Sequence, residues 1–492
     1  MINLRWIGVL LLTLLCSGGI RAQEVIYSPY ERFDIRSGDF SVIGKIGDRI
    51  YTYRGGNDGF FLDAYNDSME KMATVLLDFF PKKIYETRFV NYPDKLLVLY
   101  QAIESNKVVQ YAALLDQTGR LLKGPIQLTS EKTGIFGASG DYFSSAVSDD
   151  KKHILVYGIE ESRNQLQLTG VWVDDQLADI KRGGATFKTD NSLTHREGIL
   201  DNSGNFFLPT YTPTGTRNFA DQLWLLSLTR GGRRFYSKEL PLNDLFATST
   251  YMKLDNTNGR IYAGGFYSDK KNGNYEGVIY AYYDLNDSSW HNRKTIAFNE
   301  PLRNATGERN KRRAFNNYQV KQMVIKKDGG FVLIAEDFFV TTNSRMGAYG
   351  MPGSPYWGSY YGQYGMGMPQ QVREYNYDDI LTLSYDANGT SEWNAFVRKS
   401  QYSQEDGGMF SSYGLINTGG SLGFLFNDFN TRNSRIQLAT ISAEGKVDIQ
   451  SLAQGTAADP DWLPRSGKQI GIREVIVPCL RKRQICFAKI IF

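Results

Sequence analysis

Short apolar segments alternate with polar turns along almost the whole chain. The segments are five to nine residues long, are rich in Val, Ile, Tyr, Phe and Leu, and are bounded by Gly, Asn and Asp. Such runs predict β-strands rather than helices, since a helix needs a longer stretch with a 3.6-residue period. The clearest predicted strands are Tyr85–Val90, Lys95–Ile103, Val108–Leu115 and Arg120–Leu128, then His153–Ile159, Gln165–Val173 and Gln176–Ile180. The pattern therefore predicts an all-β protein.

A hairpin turn recurs along the chain at a nearly constant interval. The turns begin at Asn66, Asp116, Asp174, Thr229, Asp284, Asp386 and Ser442. Successive turns are separated by 50, 58, 55, 55, 102 and 56 residues, so the long gap is one ordinary step plus an insertion. A period of this length that contains only strands and turns is typical of stacked β-modules, most simply the blades of a β-propeller.

The two ends of the chain complement each other. Gln469–Phe492 holds three strands of a repeat, and Glu24–Ile35 holds one spare strand. Pairing the spare strand with the last three would close a ring and remove exposed sheet edges. The count predicts eight four-stranded blades in a ring closed by the N-terminal strand, with seven blades as the alternative.

The first 22 residues have the pattern of an export signal. Residues 1–22 contain one early positive charge, the apolar run Trp6–Leu15 and small residues before a predicted cut after Ala22. Residues 23–492 would then form a single propeller domain, located in the periplasm or at the cell surface. Lipid anchoring at Cys16 is disfavoured because Leu15 stands where the lipoprotein pattern requires a small residue. No later segment has the apolar length of a transmembrane helix.

The charge balance restricts the kinds of partner. The formal net charge is +4 over 492 residues, and part of it leaves with the signal. So small an excess gives no electrostatic steering and argues against a nucleic-acid partner. We expect a monomer without a cofactor.

Two cysteines remain after cleavage, Cys479 and Cys486. The sequence predicts a hairpin that places them opposite each other, and an exported chain permits a disulfide there. Two reduced, half-buried thiols are the alternative. Two thiols without a nearby histidine are too few for a metal site.

The long loops indicate where a ligand would bind. Loops between the second and third strands are the longest, and all lie at one end of the predicted sheets, so we place a site there. The longest is the insertion at about residues 340–377, whose Gly, Tyr and Met composition predicts a mobile flap. Its aromatic residues would stack on a sugar or peptide, unless the segment is merely a tolerated insertion. These candidate ligand-binding residues are Tyr356, Trp357, Tyr360, Tyr361 and Tyr364.

Hydrolase motifs are hard to find in the sequence. The one Gly-x-Ser-x-Gly match, Gly419–Gly423, precedes a predicted strand instead of following one, and there is no His-Glu-x-x-His. His195 is the one histidine expected on the long-loop side, although a surface histidine without a role is the simpler interpretation. The acidic pairs Glu336-Asp337 and Glu405-Asp406 could serve a glycosidase as acid and base, or could simply be solvated.

The segment Asp379–Trp393 combines an apolar strand, an Asp-Ala-Asn-Gly turn and a tryptophan. With Asp406–Ser412 and Phe424–Asp428, it resembles exported β-propeller-like proteins of Gram-negative bacteria whose roles are uncharacterised. Ser384–Trp393 is also similar to the Asp-box of sialidase-type propellers, with extra residues before Trp393. The resemblance implies a fold and no activity.

The sequence thus leaves two functions open. The first is an exported bacterial binding or scaffold protein that engages a glycan, a peptide or a protein through its long-loop face. The alternative is a carboxylate-dependent glycan-active enzyme of the glycosidase type, with its site at a central channel. A fold of this kind supplies architecture without naming a chemistry.

Overall fold

A computed structural model describes most of the chain. The described residues are 24–133, 142–162, 164–189, 192–215, 219–345, 370–429, 435–454 and 459–492. They form 36 strands, one short α-helix and two 3-10 turns, so the predicted all-β class is confirmed. The described strands form seven hydrogen-bonded sheets, and the nine-stranded one contains two antiparallel meanders. Counting these two separately, we number the meanders as sheets 1 to 8, and each resembles a propeller blade in its strand order.

The first half of the chain supplies two leading strands and four sheets. The leading strands are β1 (Glu24–Tyr27) and β2 (Glu31–Arg32). Sheet 1 consists of β3 (Asp39–Ile46), β4 (Arg49–Gly56), β5 (Gly59–Tyr65) and β6 (Lys71–Leu76). Sheet 2 consists of β7 (Ile84–Asn91), β8 (Lys95–Glu104), β9 (Lys107–Asp116) and β10 (Leu121–Lys132). Sheet 3 consists of β11 (Ser144–Val147), β12 (His153–Ser162), β13 (Gln165–Asp174) and β14 (Ile180–Lys188). Sheet 4 consists of β15 (Thr194–His195), β16 (Ile199–Leu200), β17 (Phe206–Thr214), β18 (Phe219–Leu228) and β19 (Phe235–Leu240).

The second half supplies sheets 5 to 8. Sheet 5 consists of β20 (Phe246–Asp255), β21 (Arg260–Ser268), β22 (Gly277–Asp284) and β23 (Ser289–Ala297), followed by helix α1 (Glu300–Ala305) and the 3-10 turn Lys311–Arg313. Sheet 6 consists of β24 (Tyr318–Ile325), β25 (Phe331–Arg345), β26 (Gln370–Tyr385), β27 (Ser391–Val397) and β28 (Gln401–Gln404). Sheet 7 consists of β29 (Gly414–Asn417), β30 (Ser421–Asp428), β31 (Arg435–Ser442) and β32 (Val447–Gln454). Sheet 8 consists of β33 (Asp461–Trp462), the 3-10 turn Pro464–Ser466, β34 (Lys468–Gly471), β35 (Glu474–Arg481) and β36 (Gln484–Ile491). Sheets 4 and 5 are joined by one bridge between Ala220 and Ala247.

All seven recurring turns lie between the third and fourth strands of a sheet. At the sixth, the Asp386 carboxylate accepts hydrogen bonds from the backbone N–H groups of Asn388 (2.9 Å) and Thr390 (2.7 Å), and Gly389 has a φ of +77°. Asp116 and Gly119 repeat the arrangement in sheet 2. The Asp-x-x-Gly turns are therefore structural, because aspartate satisfies the turn backbone and glycine tolerates positive φ.

One predicted strand is wrong. Gln176–Ile180 is the turn that leads into β14, which begins at Ile180. The Asp174 carboxylate accepts hydrogen bonds from the N–H groups of Ala178 and Asp179, so these residues are held as a wide loop. Leu177, the apolar residue that suggested a strand, lies in this loop with a positive φ of 52°, and its side chain is buried.

The N-terminal strand pairs with the last strand of the chain, as predicted. β1 runs antiparallel to β36 from Glu24–Ile491 to Tyr27–Ala488, and β2 continues along the same strand. The Ser28 hydroxyl accepts a hydrogen bond from the Phe487 N–H, at 2.9 Å. β1 therefore supplies an outer strand of sheet 8.

Apolar clusters join each sheet to the next. The cluster between sheets 1 and 2 includes Leu62 and Leu96, and the cluster between sheets 7 and 8 includes Leu425 and Val477. Sheet 8 also packs on sheet 1, where Ile476 and Phe487 share a cluster with residues of sheet 1 and the segment before it. These residues are Phe33, Val42, Ile50, Tyr65 and Met69. The core is thus divided among the sheet interfaces rather than gathered in one centre.

Sheet 6 carries the longest hairpin. β25 has 15 residues and β26 has 16, whereas the two central strands of each other sheet have 7 to 10. β28 pairs with the extended part of β26, at Glu374–Gln404 to Tyr377–Gln401. The insertion predicted at about 340–377 thus has strands at both ends. No helix among the described residues has the length and apolar character needed to cross a membrane.

Candidate functional site

The candidate site lies in sheet 6, where β25 and β26 leave the body of the sheet. Pairing between these strands slips by one residue between Glu336 and Phe338. Before that bulge the side chains alternate between the two neighbouring sheets, with Ile334 in the cluster shared with sheet 7 and Ala335 in the cluster shared with sheet 5. The two adjacent acids Glu336 and Asp337 therefore lie in two different environments.

Glu336 forms a buried ion pair with Lys399. The Lys399 Nζ lies 2.8 Å from Glu336 Oε1, and the two side chains are 1% and 0% exposed. The other carboxylate oxygen accepts a hydrogen bond from the Ser412 hydroxyl at 2.7 Å. Lys399 follows β27 and Ser412 precedes β29, so this cluster connects sheets 6 and 7.

Neutral groups hold the lysine in place. Lys399 Nζ donates hydrogen bonds to the Tyr377 carbonyl and to Gln401 Oε1, both at 2.9 Å. Gln401 in turn donates to the Asn427 carbonyl at 2.7 Å and accepts from the Ser412 N–H at 2.8 Å. The network is nearly saturated, which is what a buried charge pair requires to be tolerated.

Two hydroxyls beside this network are buried without a hydrogen-bond partner among the described residues. They are those of Ser411 and Tyr413. Burial, followed by the charge of Glu336, raises the pKa of Tyr413 well above its usual value. This phenol therefore stays protonated.

Two further cations lie toward the open side of the pair. Lys321 of β24 donates to Gln319 Oε1 at 3.1 Å, and its Nζ lies 4.8 Å from the centre of the Phe338 ring. Burial lowers its pKa, with Arg465 and Lys399 acting in the same direction and Glu336 opposing them. Arg465 donates to the Tyr377 hydroxyl at 3.3 Å. Lys321, Lys399 and Arg465 therefore all lie near Glu336.

Asp337 occupies the other environment. Burial raises its pKa to about 7, and the negative charges of Asp378 and Asp379 add to the effect. Its Oδ1 is buried without a hydrogen-bond partner among the described residues. Asp379 instead pairs with the Arg398 guanidinium and accepts a hydrogen bond from the Lys399 N–H at 3.2 Å. A carboxyl whose pKa lies near neutrality has the property required of a general acid.

The aromatic residues of the insertion, Tyr356, Trp357, Tyr360, Tyr361 and Tyr364, lie outside the described residues, as do residues 1–22 with Cys16 and the predicted cut. Their roles stay predictions. His195 is described and lies in β15, about one-third exposed, with its Nε2 3.7 Å from Glu161 Oε1. Its partners among the described residues, the Arg196 carbonyl and Glu161, belong to sheets 4 and 3.

The acids Glu405 and Asp406 cap a loop. Glu405 accepts a hydrogen bond from the Arg373 N–H, and Asp406 accepts one from the Gly408 N–H at 2.8 Å. Both carboxylates are used by the backbone at the base of the long hairpin. No set of three or more metal-ligating side chains occurs among the described residues.

Cys479 and Cys486 are directly opposite each other on β35 and β36, as the hairpin prediction requires. Both are buried and free in the structure, and burial raises the pKa of the Cys479 thiol. The disulfide therefore stays a prediction, to be checked by counting free thiols in exported protein under non-reducing conditions.

Sequence reasoning singled out Glu336 and Asp337 but missed Lys399, Ser412 and Lys321. Nothing in the local sequence of these three residues distinguishes them from ordinary loop and edge residues. Lys321 and Lys399 come near Glu336 through strand pairing within sheet 6, and Ser412 does so through the packing of sheet 7 on sheet 6.

Comparisons with known proteins give low similarity. No protein-family model and no curated protein matches the chain. Among solved structures, prolyl oligopeptidase B from Galerina marginata has a TM-score of 0.41 and 11% identity, covering 90% of this chain and 55% of its own. This chain thus spans about half the length of that relative. Polysaccharide lyase Uly1 has a TM-score of 0.39 and 12% identity over 82% and 89% of the two chains. Oligogalacturonate lyase in complex with manganese has a TM-score of 0.38 and 8% identity over 96% and 98%. Similarities at this level do not identify a fold family or an activity.

Proposed function

We propose that the chain is an exported, eight-bladed β-propeller that binds a glycan, a peptide or a protein at the long-loop end of sheet 6. The main support for this proposal is the long hairpin of β25 and β26. β28 pairs with its outer part and so forms a three-stranded platform. Other sheets turn back after 7 to 10 residues. A rigid platform that carries an aromatic-rich insertion is suited to recognition.

The groups at the base of the platform support this role. Glu374 accepts hydrogen bonds from the Thr341 hydroxyl at 3.1 Å and from the Tyr402 hydroxyl at 2.8 Å, so the three strands are cross-linked by side chains. The buried pair of Glu336 and Lys399 fixes the point at which the platform leaves sheet 6. Such pre-organisation lowers the entropic cost of binding.

We further propose that the eight sheets close into a ring. The support is the contact of sheet 8 with sheets 7 and 1, together with ion pairs across the second contact. Lys45 of β3 lies 2.7 Å from Glu474 of β35, and Lys71 of β6 lies 2.6 Å from Glu31 of β2. A crystal or cryo-EM structure that resolves eight blades would support closure, and one with a gap between sheets 8 and 1 would contradict it.

Removal of the platform tests the binding role. In the test variant, residues 343–372 are replaced by an Asn-Gly turn between the paired residues Thr342 and Arg373, which should leave the body of sheet 6 intact. In the control variant, residues 163–164 of the β12–β13 loop are replaced by the same turn. Both proteins are applied to arrays of bacterial surface glycans and peptides. We expect the platform variant alone to lose the binding seen for the unaltered protein, and retained binding would contradict the proposal.

A glycan-active enzyme is the second candidate. Asp337 favours it, because a carboxyl with a pKa of about 7 beside Asp378 and Asp379 could act as the acid of a two-carboxylate mechanism. The test measures reducing-end release from a panel of acidic and neutral polysaccharides. Activity that Asp337→Asn abolishes would favour the enzyme, and no turnover by the unaltered protein would leave binding as the function.

A further inference from the structure

Three cations from three sheets other than sheet 6 approach one another. Lys468 begins β34, Arg88 lies in β7, and Lys151 lies in the turn between β11 and β12. We call these residues the inner cation cluster, because β34, β7 and β11 all lie at the leading edges of sheets 8, 2 and 3, before the central strands.

Each member is held by neutral oxygen atoms of an adjoining sheet. Lys468 Nζ donates to the Ile43 carbonyl at 2.8 Å, and Lys151 Nζ donates to the Asn91 carbonyl at 2.8 Å. Arg88 donates to the Ser145 carbonyl and, at 2.8 Å, to the Ser145 hydroxyl. These bonds orient the cations without neutralising them.

The same contacts bring the three charges together. β3 lies between β34 and β7 and contacts both of them, and the Asn91 side chain donates to the Lys45 carbonyl at 3.0 Å. Lys468 is exposed to solvent, yet protein surrounds it closely enough to lower its pKa to about 8, and the charges of Lys151 and Arg88 act in the same direction.

Within the described ranges, no carboxylate forms an ion pair with any of the three. Other lysines of these sheets are paired, such as Lys45 with Glu474 and Lys95 with Asp175, both at 2.7 Å. Three like charges held together repel one another, and a bound anion would relieve that repulsion. The Lys468 ammonium and the Arg88 guanidinium remain solvent-exposed, with donors left to make charge-assisted hydrogen bonds.

We propose that the inner cation cluster binds an anionic group, namely a carboxylate, sulfate or phosphate. This site is separate from the platform of sheet 6 and needs only the observed contacts among sheets 8, 1, 2 and 3. It does not depend on the number of blades. The anion is either a free inorganic ion or an acidic group carried on a sugar chain.

Isothermal titration calorimetry of residues 23–492 at constant ionic strength tests the site. The probes are sodium sulfate, inorganic phosphate, a mannuronate trisaccharide and, as the neutral comparison, a mannose trisaccharide. We expect binding of at least one anionic probe and none of the neutral one. Tighter binding of the mannuronate trisaccharide would identify an acidic glycan, and equal or tighter binding of the inorganic ions would identify a free anion. No binding of any anion would overturn the proposal.

Charge-removing variants locate the binding. Lys468→Gln and Arg88→Gln should each weaken it about tenfold or more, because each removes a charge-assisted hydrogen bond. Lys446→Gln, at an exposed outer turn of sheet 7, is the matched control and should bind as the unaltered protein does. An equal loss in Lys446→Gln would show non-specific attraction and overturn the site. If Lys468→Gln proves unstable because it loses the bond to Ile43, Arg88→Gln decides the question.

The platform variant separates this proposal from the first. With residues 343–372 replaced, the protein should still bind the anion with unchanged affinity. Loss of anion binding in that variant would overturn the independence of the site, and loss of glycan or peptide binding alone would leave it intact.

Discussion

At the scale of single residues, the carboxyls that matter are the ones that the fold removes from water. Glu336 is fully buried with Lys399, whereas Asp58 on the surface is paired with Arg32 at 3.6 Å with both side chains largely exposed. The first interaction has lost its hydration and depends on its partner. The second is screened by solvent and contributes little.

We therefore expect Glu336→Gln to lower the free energy of unfolding by about 3–5 kcal/mol, since it leaves the Lys399 charge buried without a partner. Asp58→Asn, the control, should change it by no more than about 0.5 kcal/mol. Urea unfolding of the three proteins gives the values. The double change Glu336→Leu with Lys399→Met should cost less than Glu336→Gln, and an equal or larger cost would show that the pair itself stabilises the interface.

The raised pKa of Asp337 predicts that the stability of the protein depends on pH. Its pKa is raised from 3.8 to about 7, so the folded state holds a proton that the unfolded state has already released between these values. Stability should therefore fall as the pH rises from about 4 to about 7, and the contribution should be constant above that. Asp337→Asn removes the titrating group and should flatten this part of the profile. Identical slopes in thermal melts of the two proteins would mean that Asp337 titrates normally.

At the scale of elements, the edges of the sheets determine which segments are essential. β1 covers the edge of β36 that would otherwise be open, and it does so with only four paired residues. Hydrogen bonds across that edge and the packing of Val25 and Ile26 hold it in place. An uncovered strand edge loses packing and invites association with other chains.

Deletion of residues 24–32 should lower stability by several kcal/mol and promote association. The matched control is deletion of residues 346–369, which should be mild because the cost of loop closure changes slowly with length. Differential scanning calorimetry and light scattering give the two readouts. An unchanged melting temperature after removal of residues 24–32 would show that β1 is dispensable.

At the scale of the whole molecule, the contact between sheets 8 and 1 joins the two ends of the chain. Glu474 lies between two lysines, 2.7 Å from Lys45 and 2.9 Å from the buried Lys489, which also reaches Asp67 at 3.2 Å. Hydrogen bonds from Lys45 and Lys489 hold the pKa of Glu474 below its usual value although burial opposes them. The interaction therefore stabilises the fold above the ordinary glutamate pKa and is lost as the pH falls through the lowered one.

Glu474→Gln should open this contact before any other. It leaves Lys489, which is 2% exposed, without its nearest carboxylate, so we expect a loss of about 2–4 kcal/mol. Hydrogen exchange should increase first in β36, β1 and β3, with the interface of sheets 2 and 3 unchanged as the internal control. Uniform exchange across all sheets would contradict a special role for the contact.

The sequence determined the elements of this protein, because each is specified by residues close together in the chain. Alternating apolar runs predicted the strands, and Asp386 and Gly389 predicted a turn that their own backbone contacts stabilise. The pairing of Glu24–Ile35 with the last strands was predicted from the number of strands at the two ends of the chain. The strand predicted around Leu177 was wrong, because a wide turn can bury an apolar side chain just as a strand does.

Only the tertiary structure decided which charges meet. Glu336 lies 63 residues from Lys399, and Lys468 lies more than 300 residues from Arg88 and Lys151. Their environments depend on how neighbouring sheets pack, and no local pattern encodes that packing. Burial and proximity then set the pKa values of Asp337 and Lys468, because electrostatic energies depend on distance in space rather than in sequence.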